Sequence, residues 1–298
     1  MSLTGFNLHA PHQTQALKGI ALYVAALFLF ACVAVTTKHL AARYPVFLLT
    51  WIRFSIQWLA MSVILIPKER GNLLIARRKG LVIVRGACML IMMLLITTAL
   101  QRMPVAEVTA IQFLAPLLVT LFAKYILGET IGWVRGLCVA AGFAGVLLIA
   151  RPAGHLDVIG IACVFLAAVM DAAYQLLSRL LGNTERSVVM LYYSALVSVV
   201  CLSLGLPGFW INFEPTRLDV VLFLWLGFVG GIGHFVFTSA YRHTPASALA
   251  PLSYLQLFWA GLLGWLFFDH LPSGMSLAGM VVIVAAGGIA AVLGRRAF

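Results

Sequence analysis

Apolar runs of roughly twenty residues recur along the whole chain, separated by short segments that carry most of the charged residues. A helix needs about 20 apolar residues to cross the hydrocarbon core of a bilayer, so each run predicts one membrane-spanning helix. The ten predicted spans are 19–39, 46–66, 81–101, 105–127, 131–150, 159–181, 188–206, 220–241, 246–268 and 275–294. They consume nearly the whole chain. The sequence therefore predicts an all-α membrane protein with a single membrane domain, residues 1–298.

The pattern of one half of the chain returns in the other. A shift of 141 residues superposes repeat one, 19–151, on repeat two, 160–296, and TTALQRMP at 97–104 then meets TSAYRHTP at 238–245. Each repeat contains five predicted spans. Because five is odd, the second repeat enters the membrane from the opposite side, which makes the two halves inverted repeats. Such a frame permits two near-equivalent conformations open to opposite sides, the geometry of an alternating-access carrier.

Composition supports the membrane prediction, and the distribution of charge predicts an orientation. The chain is 63% hydrophobic and 10% charged, with a mean hydropathy of +1.05, far more apolar than a soluble domain. Ten spans place both termini on one side, which carries 14 of the 20 Lys and Arg residues, Arg85 counted among them. The other side carries five, and Arg53 lies within a span. The positive-inside rule predicts cytoplasmic termini in a cell membrane, and we expect the bacterial inner membrane.

Several other classes of function are disfavoured. The net charge of +11 is compatible with nucleic acid, but the basic run at 67–80 is better explained as a loop near anionic lipid headgroups. The five cysteines fall in five different spans without a CxxC pair, so we expect no disulfide or metal site. No nucleotide-binding, GxSxG or HExxH signature occurs, so we expect no cofactor and no enzymatic activity. Residues 1–19 lack the features of a signal peptide, and the first span is expected to be an uncleaved signal-anchor.

The sixth predicted span contains one acidic residue near its middle. Asp171, Tyr174, Gln175 and Ser178 follow i, i+3, i+4, i+7 spacing and share one helical face. An aspartate at the bilayer centre costs about 2.5–3.5 kcal/mol on insertion scales, so this face should point into the protein or a watery cavity. The carboxyl group either ties helices together or receives a substrate amino group or a proton. The repeat mate is Phe30, which weakens the purely structural interpretation.

Arg53 is the other charge inside a predicted span. Thr50, Arg53 and Gln57 share one face of the second span. The guanidinium can hold a substrate carboxylate bidentately, or it can snorkel toward the outer end of its span. We favour a structural or pathway role over direct substrate contact, and pairing with Asp171 stays open.

Further polar residues mark the spans that should surround a cavity. Mid-span prolines free backbone carbonyls and often border cavities, and a membrane histidine can relay protons or bond between helices. The further candidates for substrate binding or the pathway are Thr109, Gln112, Tyr254, Gln256 and His234, with Pro116 and Ser253 beside them and Thr97, Thr98 and Gln101 weighted lowest. Spans one, three, four, six, eight and nine should form the cavity, with span two contributing. The Gly- and Ala-rich fifth and tenth spans are predicted to be scaffold or an oligomer surface.

Ten spans in two halves, and the phrase LAPLLVTLFAKYILGET at 114–130, resemble the EamA type of the drug/metabolite transporter superfamily. The resemblance covers essentially the whole chain. Pro116 and Gly128-Glu129 match the family pattern in repeat one, whereas repeat two has Leu257 and Asp269-His270, so the halves are not interchangeable at the site. The resemblance implies a secondary carrier, commonly an exporter of amino acids or other small metabolites. Within the family the chain is most similar to bacterial aromatic amino acid exporters.

The sequence therefore predicts an exporter of a small molecule, an aromatic or other neutral amino acid. Asp171 or nearby Gln and Tyr groups would receive the zwitterion near the midplane, and Asp171 is also the candidate for proton coupling. Facilitated diffusion without a proton stays open, as do the oligomeric state and the alternative of an efflux carrier for lipophilic cations. The aromatic candidates for stacking against a substrate ring, or for filling space, are Tyr174, Tyr193, Tyr254 and Trp259.

Overall fold

A computed structural model describes residues 10–69, 72–127, 133–150, 156–182, 184–209, 213–244 and 249–295. Within these ranges the chain is helical and contains no strand, which confirms the all-α prediction. Two short 3₁₀-helices cover Asn72–Leu74 and Ala250–Tyr254. The α-helices are α1 (Ala10–Ala41), α2 (Val46–Glu69), α3 (Lys79–Arg102), α4 (Val105–Gln112), α5 (Leu114–Leu127), α6 (Trp133–Ala150), α7 (Val158–Leu181), α8 (Ser187–Phe209), α9 (Arg217–His243), α10 (Leu255–Phe268) and α11 (Gly274–Arg295).

Six helices in the described ranges, α1, α2, α3, α7, α8 and α9, are long and apolar enough to cross a membrane. The other four predicted spans correspond to shorter apolar helical segments of 10–17 residues. These segments are Val105–Val119, Gly136–Ala150, Leu252–Phe268 and Gly274–Ile289. The apolar helices indicate a multi-pass membrane protein, and the count of ten spans stays a prediction.

The fourth predicted span is two helices rather than one. Helix α4 ends at Gln112 and α5 begins at Leu114, with the Phe113 amide donating to the Thr109 carbonyl at 3.3 Å. Pro116 has no N–H to offer the Gln112 carbonyl four residues earlier, so a regular helix cannot continue through this point. In the ninth predicted span a 3₁₀-helix with Pro251 in its first turn likewise precedes α10. Both interruptions lie beside the cavity described below.

Two tight helix pairs join the repeats. Helix α1 packs along α9, and α7 packs along α3. A Cβ atom on Gly19 would lie 2.9 Å from the Thr244 Cβ, and one on Gly160 would lie 2.7 Å from the Met103 Cγ. These two contacts are equivalent under the 141-residue shift. The first helix of each repeat therefore packs on the third helix of the other, with a glycine allowing the close approach.

The two Gly- and Ala-rich helices, α6 and α11, pack against each other. A Cβ atom on Gly145 would lie 2.8 Å from both the Gly279 carbonyl oxygen and the Ile283 side chain, so backbone meets backbone at this contact. Residues of both helices join the largest buried apolar cluster, together with residues of α3, α4, α5 and α7. The close packing is what a scaffold role requires, and both predicted roles, scaffold and oligomer surface, stay predictions.

Polar contacts tie the helices together at the end of α1 opposite the chain termini, which we call the distal side. The Lys38 Nζ donates to the carbonyls of Leu100 at 3.0 Å and Met103 at 2.7 Å. The Gln101 amide donates to the Ala41 carbonyl at 2.8 Å. Gln101 was a weak candidate for the pathway, but its side chain instead fastens α3 to α1.

An arginine–carboxylate ion pair and a histidine–carboxylate contact also join segments on the distal side. The Arg102 Nη1 is 3.3 Å from the Asp157 Oδ2, and the His270 Nε2 is 3.3 Å from the Glu107 Oε1. Each pair joins the start or end of one helix in repeat one to a segment of repeat two. The predicted ten-span topology places all four residues on this side, so the contacts agree with it.

Candidate functional site

A cavity of about 860 Å³ lies between the two repeats. Its walls come mainly from α1, α3, α4, α7 and α8, with smaller contributions from α2, α5, α9, α10, α11 and the 3₁₀-helix before α10. The sequence indicated most of these helices but not α8 or α11. Nine of the ten predicted site residues line the cavity: Arg53, Thr109, Gln112, Asp171, Tyr174, Gln175, His234, Tyr254 and Gln256.

Gln57, the tenth predicted site residue, does not line the cavity in this conformation, and its role in the pathway stays a prediction. Its side chain is 3% exposed and is not part of the lining. One turn beyond Arg53 on α2, it lies against α9, where a Cβ atom on Gly231 would be 3.8 Å from the Gln57 Cγ. Residues that share a helical face still point in somewhat different directions, so Arg53 reaches the cavity while Gln57 is covered by α9.

Two glutamines hold the Asp171 carboxylate in the cavity wall. The Gln112 Nε2 donates to the Asp171 Oδ2 at 3.2 Å, and Gln175, one turn along α7, adds a second side-chain hydrogen bond. Gln112 is the last residue of α4, so the break before α5 sets the position of its amide. Asp171 is therefore both a tie between α4 and α7 and an acceptor that faces the cavity.

The other polar side chains on this face of α7 bind Arg85, a residue counted above on the side of the chain termini. Arg85 is only 4% exposed, lies inside α3 and lines the cavity. Its Nη2 donates to the Tyr174 hydroxyl and its Nε to the Ser178 hydroxyl, both at 2.6 Å. Its Nη1 donates to the Met190 carbonyl at 3.0 Å and to the Ser194 hydroxyl at 2.9 Å.

Counting Arg85 among the terminal-side basic residues was wrong, and the sequence contained a signal against it. Residue 85 lies within the predicted span 81–101, so its charge had to be buried or snorkelled. The structure buries the guanidinium because hydroxyls and a carbonyl from α7 and α8 accept its hydrogen bonds. Arg85 is thus a charged residue of the cavity lining that the sequence did not single out.

Arg53 is the second guanidinium in the cavity wall. It is 8% exposed, so it does not snorkel to the end of its span. Its Nη1 lies 3.5 Å from the Met93 Sδ, and its buried Nε has no hydrogen-bond partner among the described residues. Arg53 and Asp171 do not pair, because the ion pairs between described residues involve other side chains. The pairing that the sequence left open is therefore absent in this conformation.

Aromatic rings cover two parts of the cavity wall. Phe30, the repeat mate of Asp171, lies 5.0 Å from the His234 ring and 5.7 Å from the Phe237 ring, measured between centroids. On another wall, the rings of Phe113 and Tyr254 are 5.1 Å apart. All of these aromatic residues belong to the cavity lining, so aromatic rings form part of its wall.

Two of the four predicted stacking residues lie elsewhere. The Tyr193 hydroxyl donates to the Leu74 carbonyl at 2.8 Å, and Trp259 packs edge-on against Phe28. Neither belongs to the cavity lining, so they fill space between helices. Tyr174 and Tyr254 do line the cavity.

The threonine hydroxyls of the cavity are already used by their own helices. The Thr109 hydroxyl donates to the Val105 carbonyl at 2.8 Å, and the Thr97 hydroxyl donates to the Met93 carbonyl at 2.7 Å. Each can still accept a hydrogen bond from the cavity, but its proton is committed. Among the described residues, no group of three His, Cys, Asp or Glu side chains is placed to hold a metal ion.

Comparison with known proteins identifies the type of molecule to which this cavity belongs. The chain matches the model of the EamA-like transporter family twice, at residues 17–151 and 158–292. It is 28% identical to an S-adenosylmethionine uptake transporter of Rickettsia bellii, over 90% of this chain and 91% of that protein. It is 26% identical to a pseudopaline exporter of Pseudomonas aeruginosa, over 90% and 94% of the two chains.

Two further similarities concern part of the sequence and the fold. A riboflavin transporter of Rhizobium johnstonii is 30% identical over 63% of this chain and 62% of its own. A protein of known crystal structure superposes with a TM-score of 0.64 and 23% identity, covering 95% of this chain and 98% of that one. The latter similarity supports the fold alone.

Proposed function

The chain belongs to the EamA-like transporter family, and we propose that it exports small amino-bearing metabolites, aromatic or other neutral amino acids, by alternating access. Membership makes it a small-molecule transporter of the membrane rather than an enzyme. The substrate and the direction of transport are our proposal.

The proposal rests on the hydrogen-bond partners of the Asp171 carboxylate in the cavity wall. Its carboxylate receives hydrogen bonds from the Gln112 and Gln175 amides, and no cation among the described residues pairs with it. An ionised carboxylate can accept about four hydrogen bonds, so two amides leave sites for a substrate ammonium group. The repeat mate is Phe30, so the frame of the protein folds without an acid at this position.

The aromatic walls favour substrates that contain a ring. The cavity volume lies within the range of 300–1,000 Å³ that is typical of small-molecule sites and exceeds what one amino acid fills. Two relatives are named for S-adenosylmethionine and riboflavin, both of which contain fused aromatic rings. An aromatic amino acid therefore fits the cavity together with water, and a larger ring-bearing metabolite fits it more fully.

The repeats provide the moving parts in this proposal. The cavity reaches Gly182 and Ser187 at the terminal ends of α7 and α8, while Lys38 and Gln101 fasten the helices on the distal side. We interpret this conformation as open toward the side of the termini, which we propose is the cytoplasm. Exchange of the helix packing between the two inverted repeats would open the distal side instead.

Relatives named for uptake and for export both exist, and an uncoupled carrier simply follows the substrate gradient. We propose export from the cytoplasm across the inner membrane, with Asp171 as the carrier of a coupled proton. Proton coupling predicts that a pH gradient drives accumulation of substrate, whereas a facilitator only equilibrates it.

Counterflow in proteoliposomes tests the proposal. The panel contains tryptophan, phenylalanine, leucine, S-adenosylmethionine, riboflavin and a lipophilic cation dye, each measured with and without a pH gradient. We expect transport of at least one amino acid and at least a tenfold lower rate for Asp171→Asn, because a neutral amide no longer attracts an ammonium group. Asp157→Asn makes the same chemical change at a partly exposed residue outside the cavity lining, so it is the matched control and should change the rate much less. Normal transport by Asp171→Asn at every pH would rule out a role for this carboxylate.

The second candidate, an efflux carrier for lipophilic cations, rests on the same carboxylate and the apolar walls. The two guanidinium groups of Arg53 and Arg85 face the same cavity and disfavour a purely cationic substrate. The panel separates the candidates, because movement of the dye without movement of any amino acid supports the second one.

A further inference from the structure

We propose that Arg53 forms a carboxylate-binding subsite of the cavity, so that the transported molecule carries an acidic group as well as an amino group. This inference rests on the proposed function, since it assigns the second half of the same substrate. Asp171 would receive the ammonium group, and Arg53 would select molecules that also carry a carboxylate.

The Arg53 guanidinium has few hydrogen-bond acceptors among the described residues. The group is 92% buried, its Nε lacks a partner among the described residues, and its Nη1 faces the thioether of Met93 at 3.5 Å. A thioether is a weak acceptor, so it does not compensate a buried cation. A buried charge without partners is costly, and a carboxylate that forms two parallel hydrogen bonds removes that cost.

The other charges of the cavity differ from Arg53 in their partners. Arg85 donates to four oxygen atoms of the protein, so four of its five N–H groups are taken. Arg53 and Asp171 line the same cavity without forming an ion pair with each other. Opposite charges that line one cavity without pairing are compatible with a substrate that carries both signs of charge.

No side chain of α9 is interposed at the contact with the Arg53 guanidinium. A Cβ atom on Gly230 of α9 would lie 3.5 Å from the Arg53 Nε and 3.6 Å from the Nη2. Only the α9 backbone therefore lies along this edge, which buries the Nε in this conformation without supplying a side-chain acceptor at position 230. On the same face of α2, the Thr50 hydroxyl donates to the Val46 carbonyl and does not compete for Arg53.

Three indole compounds test this subsite by titration calorimetry on the full chain in lipid nanodiscs. Tryptophan carries both charged groups, tryptamine lacks the carboxylate, and indole-3-propionate lacks the amine. We expect the wild-type protein to bind tryptophan about tenfold or more tightly than tryptamine, because the bidentate pair is lost with the carboxylate. Arg53→Gln should reduce the affinity for tryptophan to that for tryptamine and leave tryptamine binding unchanged.

The controls separate binding from folding. Arg43→Gln makes the same chemical change at an exposed arginine and should leave the tryptophan-to-tryptamine ratio unchanged. Arg53→Lys keeps the charge but not the planar fork and should restore the ratio in part. Asp171→Asn should instead abolish the preference for tryptophan over indole-3-propionate.

An unchanged ratio of tryptophan to tryptamine affinity in Arg53→Gln, including an equal loss of both, would overturn the subsite and leave the proposed function intact. If the wild-type protein does not bind tryptophan, the amino acid substrate is overturned. The subsite then depends on indole-3-propionate alone: binding that requires Arg53 supports it, and absence of binding overturns it.

Discussion

Two buried arginines face one cavity in opposite chemical states. Arg85 donates hydrogen bonds to four oxygen atoms on α7 and α8, so three helices are joined through one side chain. Arg53 meets the Met93 thioether and keeps its Nε unpartnered among the described residues. A guanidinium whose N–H groups mostly bond to protein oxygen atoms stabilises the fold, whereas one with few protein acceptors is available to a ligand. Burial of a charge inside a membrane protein does not by itself distinguish the two roles.

The repeat shows that neither charge belongs to the shared frame. Under the 141-residue shift the counterpart of Arg85 is Leu226, and the counterpart of Arg53 is Ser194. Asp171 has Phe30 as its counterpart. Each ionised group of the site is therefore an addition to one repeat, while glycine contacts and helix pairing are common to both.

The largest expected effect separates the two arginines by stability. Arg85→Leu leaves three hydroxyls and a carbonyl without their donor and should lower the free energy of unfolding by on the order of 3 kcal/mol. Arg53→Leu removes an uncompensated charge and should leave stability unchanged or raise it. Thermal unfolding of the detergent-purified variants measures both. If Arg53→Leu unfolds as early as Arg85→Leu, Arg53 is a structural residue and the contrast fails.

An intermediate effect is expected where the repeats share a contact but fill it differently. Gly19→Ala would press a methyl group on the branched Thr244 side chain and within 3.0 Å of the Ala240 carbonyl oxygen. Gly160→Ala would meet the Met103 Cγ and Sδ at 2.7 and 2.8 Å, atoms of a flexible side chain that can change rotamer. We expect about 1–3 kcal/mol of destabilisation for Gly19→Ala and clearly less for Gly160→Ala. Equal losses of thermal stability would show that the two helix pairs are equally rigid.

The smallest expected effect concerns the start of α7. The Asp157 carboxylate accepts from the Gly160 amide at 2.7 Å and pairs with Arg102, and these contacts lower its pKa below the ordinary value of 3.8. A lowered pKa in the folded state stabilises the protein above about pH 4, and this stabilisation disappears as the pH falls through the lowered value.

Asp157→Ala should therefore unfold at a lower temperature than the wild type at pH 7, and the difference should vanish in acid. Asp157→Asn keeps the helix cap without the charge and should be insensitive to pH. The position equivalent to Asp157 in repeat one is Ala16, inside α1, so this cap belongs to repeat two alone. A constant difference between wild type and Asp157→Ala at all pH values would contradict the assignment.

Sequence reasoning located most of the helices and nine of ten candidate residues because both follow from local patterns. Predicted span 159–181 and helix α7 (Val158–Leu181) differ by one residue at the start, and the spacing of Asp171, Tyr174 and Gln175 fixes a common face. Local spacing does not show whether a neighbouring helix covers a side chain. Gln57 has the spacing of a site residue, but α9 covers it.

Hydropathy and helical periodicity by themselves determined the membrane character of the chain, the helical class, the repeat and the importance of Asp171, because each depends on residues within a few turns. The tertiary structure alone decided which polar groups meet. Ser194 accepts from Arg85 across 109 residues of sequence, and Gln112 reaches Asp171 across 59. Spacing cannot encode such contacts, since they depend on how α3, α7 and α8 pack. The sequence therefore could not show that the Arg85 guanidinium bonds to four protein oxygen atoms while the Arg53 guanidinium meets a thioether.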